Sequence, residues 1–294
     1  MSNKNKAILL IIVSSLTAAL ASTAIKEAGN LPFYEKSFFR NIITVITTVF
    51  IILRSDDKFF GSKENRKFLF LRALCGTLGV WASYYAISHM LLANAVVLGK
   101  LSPFFVIIFS AIFLKENIKK HHIIAMIIAF IGVLFVVKPS GNESLSISLI
   151  AILSGVFGGG VATFLRFLRK KESTNTIVFF YAFTSAILSI PFMIYRFAMP
   201  DFYQIIALIL AGIFSSCTQF AITIAYKYAP AKEISIFSYT NVIFVTAIGM
   251  FIWNNIPDEY SLIGYLLIII GSITIFVWNK RSDKYLLVKN NKKS

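Results

Sequence analysis

The sequence predicts an all-α integral membrane protein: ten transmembrane helices in two inverted five-helix repeats. Three observations predict it. Apolar residues make up 57% of the 294 positions and charged residues only 14%, against about 25% charged in ordinary soluble domains. That leaves too little polar surface to coat a soluble globule of this size. The apolar residues gather into runs of roughly 20, the length that crosses a hydrocarbon core about 30 Å thick. The same five-run layout occurs twice along the chain.

The runs fall at about 7–25, 37–53, 68–87, 93–113, 121–137, 146–166, 176–195, 204–226, 233–253 and 261–278. The first lies in MSNKNKAILLIIVSSLTAALASTA, which has the lysines, apolar core and small-residue end of a signal peptide. Further runs of similar length follow, and nothing resembles a soluble mature protein, so it is read as the first span. The connections are short and polar, with no room for a soluble domain. A basic tail, 283–294, closes the chain. Cys75 and Cys217 both fall in apolar runs, which argues against a disulfide framework and against a thiol metal site. His89, His121 and His122 lie in or beside connections without metal-ligand spacing. No metal and no cofactor is expected.

The formal charge of +16 follows from topology. With the N-terminus inside, 22 of the 29 Lys and Arg residues fall in inner segments, and the outer connections hold only Lys26, Lys36, Lys138 and Arg196. Cytoplasmic loops retain cations, so both termini are expected in the cytoplasm of a bacterium with the chain in its inner membrane. No nucleic-acid partner is needed to explain the basicity. Three cations remain inside spans: Arg40, Arg72 and Lys100.

The halves, 1–140 and 141–282, overlay at an offset of 139 residues, which pairs Ala86 with Ala225, Phe105 with Phe244, Val106 with Val245 and Gly132 with Gly271. Five spans is an odd number, so the second half inserts upside down relative to the first. Inverted repeats are common in secondary transporters, whose substrate site lies near the midplane where the repeats meet. YYAISHMLLANAVVLGKLSPFFVIIFSAIFLKENI (84–118), with Gly132 in the next span, resembles the EamA-type signature of the drug/metabolite transporter superfamily, and IAYKYAPAKEISIFSYTNVIF (224–244) resembles its second copy. The resemblance covers nearly the whole chain and implies ten helices, inverted repeats and metabolite transport. The second copy departs from the pattern: the Pro at the Pro103 position is Val242, and Glu116 becomes Asn255.

Lys100 lies about seven residues, roughly 10 Å, into its span. A charge at such depth costs about 3 kcal/mol or more and faces a cavity or a partner by default. Pro103 has no N–H to bond the Gly99 carbonyl one turn earlier, so a kink is expected where an ammonium, a free carbonyl and the Ser102 hydroxyl converge. Under the repeat offset Lys100 maps to Tyr239, Ser102 to Asn241 and Gly99 to Ser238, which places a second polar cluster at equivalent depth in the ninth span. The candidate substrate-binding residues are Lys100, Ser102, Tyr239, Asn241, Gln219, Trp81, Tyr84 and Arg40. Arg40 and Arg72 each lie about one turn from a span end, where snorkelling to headgroups is an equal alternative. Glu35 is a candidate partner of Arg40 or Lys26. GVFGGGVA (155–162) supplies a small-residue face for close helix packing.

These readings point to a secondary transporter moving a small metabolite by alternating access: an amino acid, an organic acid or another anionic solute. The partners expected are that substrate, membrane lipids and a coupling ion or proton, since no ATP-binding loop is present. The alternatives are a lipid or lipid-precursor flippase, a membrane scaffold and a membrane-embedded enzyme. The last lacks any visible catalytic constellation in the spans.

Overall fold

The computed structural model describes residues 3–114, 120–137, 145–168, 171–229 and 235–291. Among these residues every regular element is helical. In chain order they are α1 (Asn3–Glu27), α2 (Phe33–Ile52), α3 (Arg66–His89), α4 (Leu92–Gly99), α5 (Ser102–Leu114), α6 (Lys120–Val137), α7 (Leu145–Leu168), α8 (Thr174–Tyr195), α9 (Phe202–Tyr228), a 3-10 turn (Ser235–Tyr239) running into α10 (Thr240–Trp253), and α11 (Glu259–Asn291). A further 3-10 turn, Lys63–Asn65, precedes α3. The fourth predicted span is therefore two helices, α4 and α5, separated at Lys100 and Leu101. α11 continues past the end of its predicted span, so the expected tail from 283 to 291 is helical backbone. Lys138 and Glu116 lie outside the described residues.

The distribution of side chains is the reverse of that in a soluble protein, where large apolar groups go inside and polar ones outside. Thr44, Thr48, Ser37, Asn41, Thr77, Ser185 and Ser189 are buried, whereas Phe251 is 90% exposed and Ile194 82%. Phe130, Ile46, Ile112 and Ile243 are exposed as well. An apolar surface this extensive calls for a lipid solvent. The spans Asn3–Glu27, Leu92–Phe109, Leu145–Leu168, Thr174–Tyr195 and Phe202–Ala225 are each long and apolar enough to cross a membrane alone. α2 and α3 are less apolar because they carry Glu35, Lys36, Arg40, Arg66, Lys67 and Arg72.

The helices pack in pairs that the repeat offset exchanges. α1 packs on α9, and its counterpart α7 packs on α3; α2 packs on α9, and α8 on α3; α5 packs on α7, and α10 on α1. α2 with α8, and α6 with α11, are pairs of counterparts that pack on each other. Two halves that trade places in this way are related by an approximate two-fold axis. Single residues obey the same exchange. A Cβ on Gly132 would lie 2.8 Å from the Gly264 carbonyl, and a Cβ on Gly271 2.9 Å from the Ala125 carbonyl. The offset converts one contact into the other. Only small residues allow backbones this close.

Each end of the bundle is tied down. At one end the Lys36 ammonium, fully buried, donates to the Gly29 carbonyl at 2.6 Å and to Ser88 Oγ at 2.8 Å. Lys26 donates to the Met90 carbonyl at 3.3 Å. Glu35 pairs with neither cation proposed for it: its Oε1 accepts from the Ala198 N–H at 2.7 Å. At the other end Glu172 Oε1 accepts from the Ser62 N–H, the Ser62 hydroxyl and Asn65 Nδ2 at 3.0, 2.7 and 2.7 Å. The Thr176 hydroxyl donates to the Lys58 carbonyl. The two sets of contacts lie at opposite ends of α3 and α8.

Candidate substrate site

Lys100 closes α4. Its own N–H still bonds the carbonyls of Val96 and Val97, the Leu101 N–H bonds the Leu98 carbonyl, and the Phe104 N–H then bonds the Leu101 carbonyl, across the position where Pro103 has no donor. The Lys100 side chain is half-buried. The Tyr239 hydroxyl donates to the Lys100 carbonyl at 3.0 Å. These two residues are 139 positions apart, so each is the other's counterpart. Counterparts in contact place the helix break on the pseudo-two-fold axis, between the repeats. The break recurs in the second half, where the 3-10 turn gives way to α10 at Thr240 although Val242 stands in place of proline. Its cause there is tertiary: Asn241 Nδ2 donates to the Ser15 carbonyl of α1 at 2.8 Å, and Ser15 Oγ reaches the Ser238 carbonyl at 3.5 Å.

Ser102 packs against α7, and Asn241 bonds α1. A Cβ on Gly158 would sit 3.0 Å from the Ser102 Cβ. A Cβ on Gly155 would lie 3.2 Å from the carbonyls of Leu98 and Gly99, and one on Gly159 only 2.6 Å from the Phe105 Cβ. The glycine run of α7 is thus the surface on which the broken helix rests.

Of the remaining candidates, Arg40, Tyr84 and Gln219 gather at a second place, between α2, α3, α8 and α9. Arg40 is 5% exposed and Arg72 2%, so neither snorkels to a headgroup. The Arg40 guanidinium carbon lies 5.9 Å from the ring centroids of both Tyr84 and Tyr181. The Arg72 guanidinium stands 4.1 Å from the Tyr181 ring, and its Nη2 donates to Gln219 Oε1 at 3.1 Å. Tyr84, Arg40, Tyr181, Arg72 and Gln219 therefore form one line of alternating rings and guanidinium groups across the bundle. Arg40 Nε and Arg72 Nε and Nη1 are buried without a hydrogen-bond acceptor. Every acidic residue with a described side chain lies in a connection or a terminal helical turn, so no described carboxylate compensates these two charges. An uncompensated buried charge is destabilising by several kcal/mol, which a desolvated cation–π contact, about 2 kcal/mol or more, offsets in part.

Sequence reasoning singled out Arg40, Tyr84 and Gln219 but missed Tyr181, and it left Arg72 open between a headgroup contact and a ligand role. The signal available was the coincidence of two in-span arginines with the absence of any Asp or Glu deep within a predicted span. Trp81 sits apart, near the end of α3, against Phe33 and Phe192 at 5.6 and 5.0 Å. Tyr84 links the two places: it meets Arg40, and it belongs to the buried cluster that holds Leu98, Leu101 and Tyr239. Among the described residues no group of His, Cys, Asp and Glu could hold a metal ion.

The model of the EamA-like transporter family matches residues 5–138 and again residues 145–277. The chain belongs to this family. Its two matches fall on the two halves that the packing exchanges, so α1–α6 and α7–α11 are the two EamA units. The pseudopaline exporter of Pseudomonas aeruginosa is 31% identical over 90% of this chain and 93% of its own. Human solute carrier family 35 member G1 is 25% identical over 88% and 75%. The S-adenosylmethionine uptake transporter of Rickettsia bellii is 24% identical over 80% and 81%. A protein of known crystal structure shares the fold, with a TM-score of 0.66 over 92% of this chain and 98% of its own at 16% identity. The EamA fold here serves transport rather than an enzymatic reaction.

Proposed function

We propose that this EamA-family protein is a secondary transporter that moves a small metabolite bearing an anionic group across the bacterial cytoplasmic membrane, both termini facing the cytoplasm. The two repeats alternate access to a site on their shared axis. The observation that carries the reading is the break at Lys100: a half-buried ammonium at mid-span, beside the contact between repeat counterparts. A cation there attracts an anionic group while the Tyr239–Lys100 contact holds the halves in register. Kinship with an exporter and an uptake system, each named for a small molecule, supports metabolite cargo, and the greater identity to the exporter supports export.

The test uses proteoliposomes carrying the purified protein and a panel of labelled amino acids and organic acids. At least one anionic solute should move, and Lys100→Met, which keeps the stem and removes the charge, should insert normally and lose that movement. Transport of the same anion at the unaltered rate by Lys100→Met would remove Lys100 from the site. Failure of every solute in the panel to move would overturn the reading itself.

A further inference from the structure

The Arg40–Tyr181–Arg72 line is unexplained by a site at Lys100 alone. Both guanidinium carbons contact one ring, at 5.9 and 4.1 Å, so they lie within about 10 Å of each other, the sum of those distances. Like charges this close in a membrane interior repel each other, and three of their nitrogens are buried with nothing to donate to. Helix packing does not require this arrangement: Gly76 already allows Tyr181 to approach α3, a Cβ there lying 2.8 Å from the ring. A guanidinium is planar and always charged, and its parallel N–H groups match carboxylate or phosphate oxygens two at a time. Gln219 fixes one edge of Arg72, and the Tyr181 ring supports its face. With Nη2 engaged by Gln219, the Nε–H and the Nη1 N–H groups are left without an acceptor.

We propose that Arg40 and Arg72 together form an anion-binding site that takes a polyanionic oxyacid, a polycarboxylate or a phosphate ester. Its place beside Tyr84, which joins it to the Lys100 region, makes it a second anchor for the transported molecule. The proposal rests on the transport reading only in calling that ligand the cargo. A cargo held at both places carries more than one anionic group.

The probes are succinate and inorganic phosphate, titrated against the full chain in lipid nanodiscs at matched ionic strength, with glycine as the control. At least one probe should bind saturably and glycine should bind less well. Succinate alone marks a polycarboxylate cargo, and phosphate alone a phosphate ester. Arg40→Gln and Arg72→Gln should each weaken binding at least tenfold. Arg72→Lys, which keeps the charge and loses the fork, should weaken it as well. Phosphate, which fills one anchor, should bind Lys100→Met within about threefold of the unaltered protein. Without ligand, the two Gln variants should melt no lower than the unaltered protein, because they remove charges that no described carboxylate compensates.

Absence of binding by either probe overturns the proposal, and so does binding unchanged in both Gln variants. Lower melting of the Gln variants with full binding in Arg72→Lys assigns the pair a packing role and overturns it too. Solute movement in proteoliposomes with no probe binding removes the anion site and leaves transport standing. Arginine-dependent binding with no solute movement does the reverse.

Discussion

Tyr239 and Lys100 occupy one position in two repeats, and a single hydroxyl joins them. A net hydrogen bond of this kind contributes about 1 kcal/mol. Tyr239→Phe should therefore lower the thermal midpoint by about 2–4 °C. It should also slow transport, because the bond lies where the halves meet. A differential scanning measurement and a proteoliposome flux assay check the two effects, and an unchanged midpoint would show that the bond is idle. Glu172 is the informative acidic residue. Partial burial raises its carboxyl, and the bonds from Ser62 and Asn65, with the charge of Lys58, outweigh this and hold it below the ordinary carboxylate value. A depressed carboxylate contributes stability above its unfolded pKa and loses it as pH falls through the folded value. The midpoint gap between the unaltered protein and Glu172→Gln should be constant near neutrality and should close on acidification below about pH 4. A gap that widens with acid would reverse the sign and refute the clasp.

At the scale of elements, the broken span and the glycine face of α7 are one device. α4 and α5 cannot satisfy every backbone group at their junction, and a helix with side chains could not come close enough to cover it. Gly159 is the tightest point, with a Cβ there meeting the Phe105 Cβ at 2.6 Å and the Ser102 carbonyl at 3.2 Å. Gly159→Val should destabilise by about 1–3 kcal/mol, the cost of overpacking a close interface, and it should shift the break and impair transport. Gly249 in α10 is the control, since nothing lies within 4 Å of a Cβ placed there. Gly249→Ala should raise stability by up to about 1 kcal/mol through helix propensity. Equal effects at the two glycines would dissociate the α7 face from the break.

At the scale of the whole molecule, the approximate two-fold axis turns each packed helix pair into another, and an odd span count makes the halves antiparallel in the membrane. The charge split predicts the orientation. In a background lacking Cys75 and Cys217, cysteines at Asn30 and Asn255 should react with an impermeant maleimide from outside intact cells, and one at Lys63 only after permeabilisation. Labelling of Lys63→Cys from outside would invert the molecule.

Composition, run length and cation placement depend on single segments meeting lipid or water. They determined the membrane class, the spans, the five-plus-five layout and the helix break at Lys100, where one missing N–H suffices. The offset of 139 even placed Lys100 opposite Tyr239 before any contact was visible. What a polar side chain faces is a different matter, because it depends on helices far apart in sequence. Ser102 stands beside Lys100 along the chain and Asn241 beside Tyr239, yet it takes the packing to show that Ser102 lies against α7 and that Asn241 bonds α1. Arg40 and Arg72 look alike as snorkelling cations near opposite span ends, and only the packing of α2 and α3 against α8 and α9 turns both inward onto Tyr181. Hydropathy reports how deep a residue sits, whereas the direction it points is set by which helices pair, and that the tertiary structure alone decided.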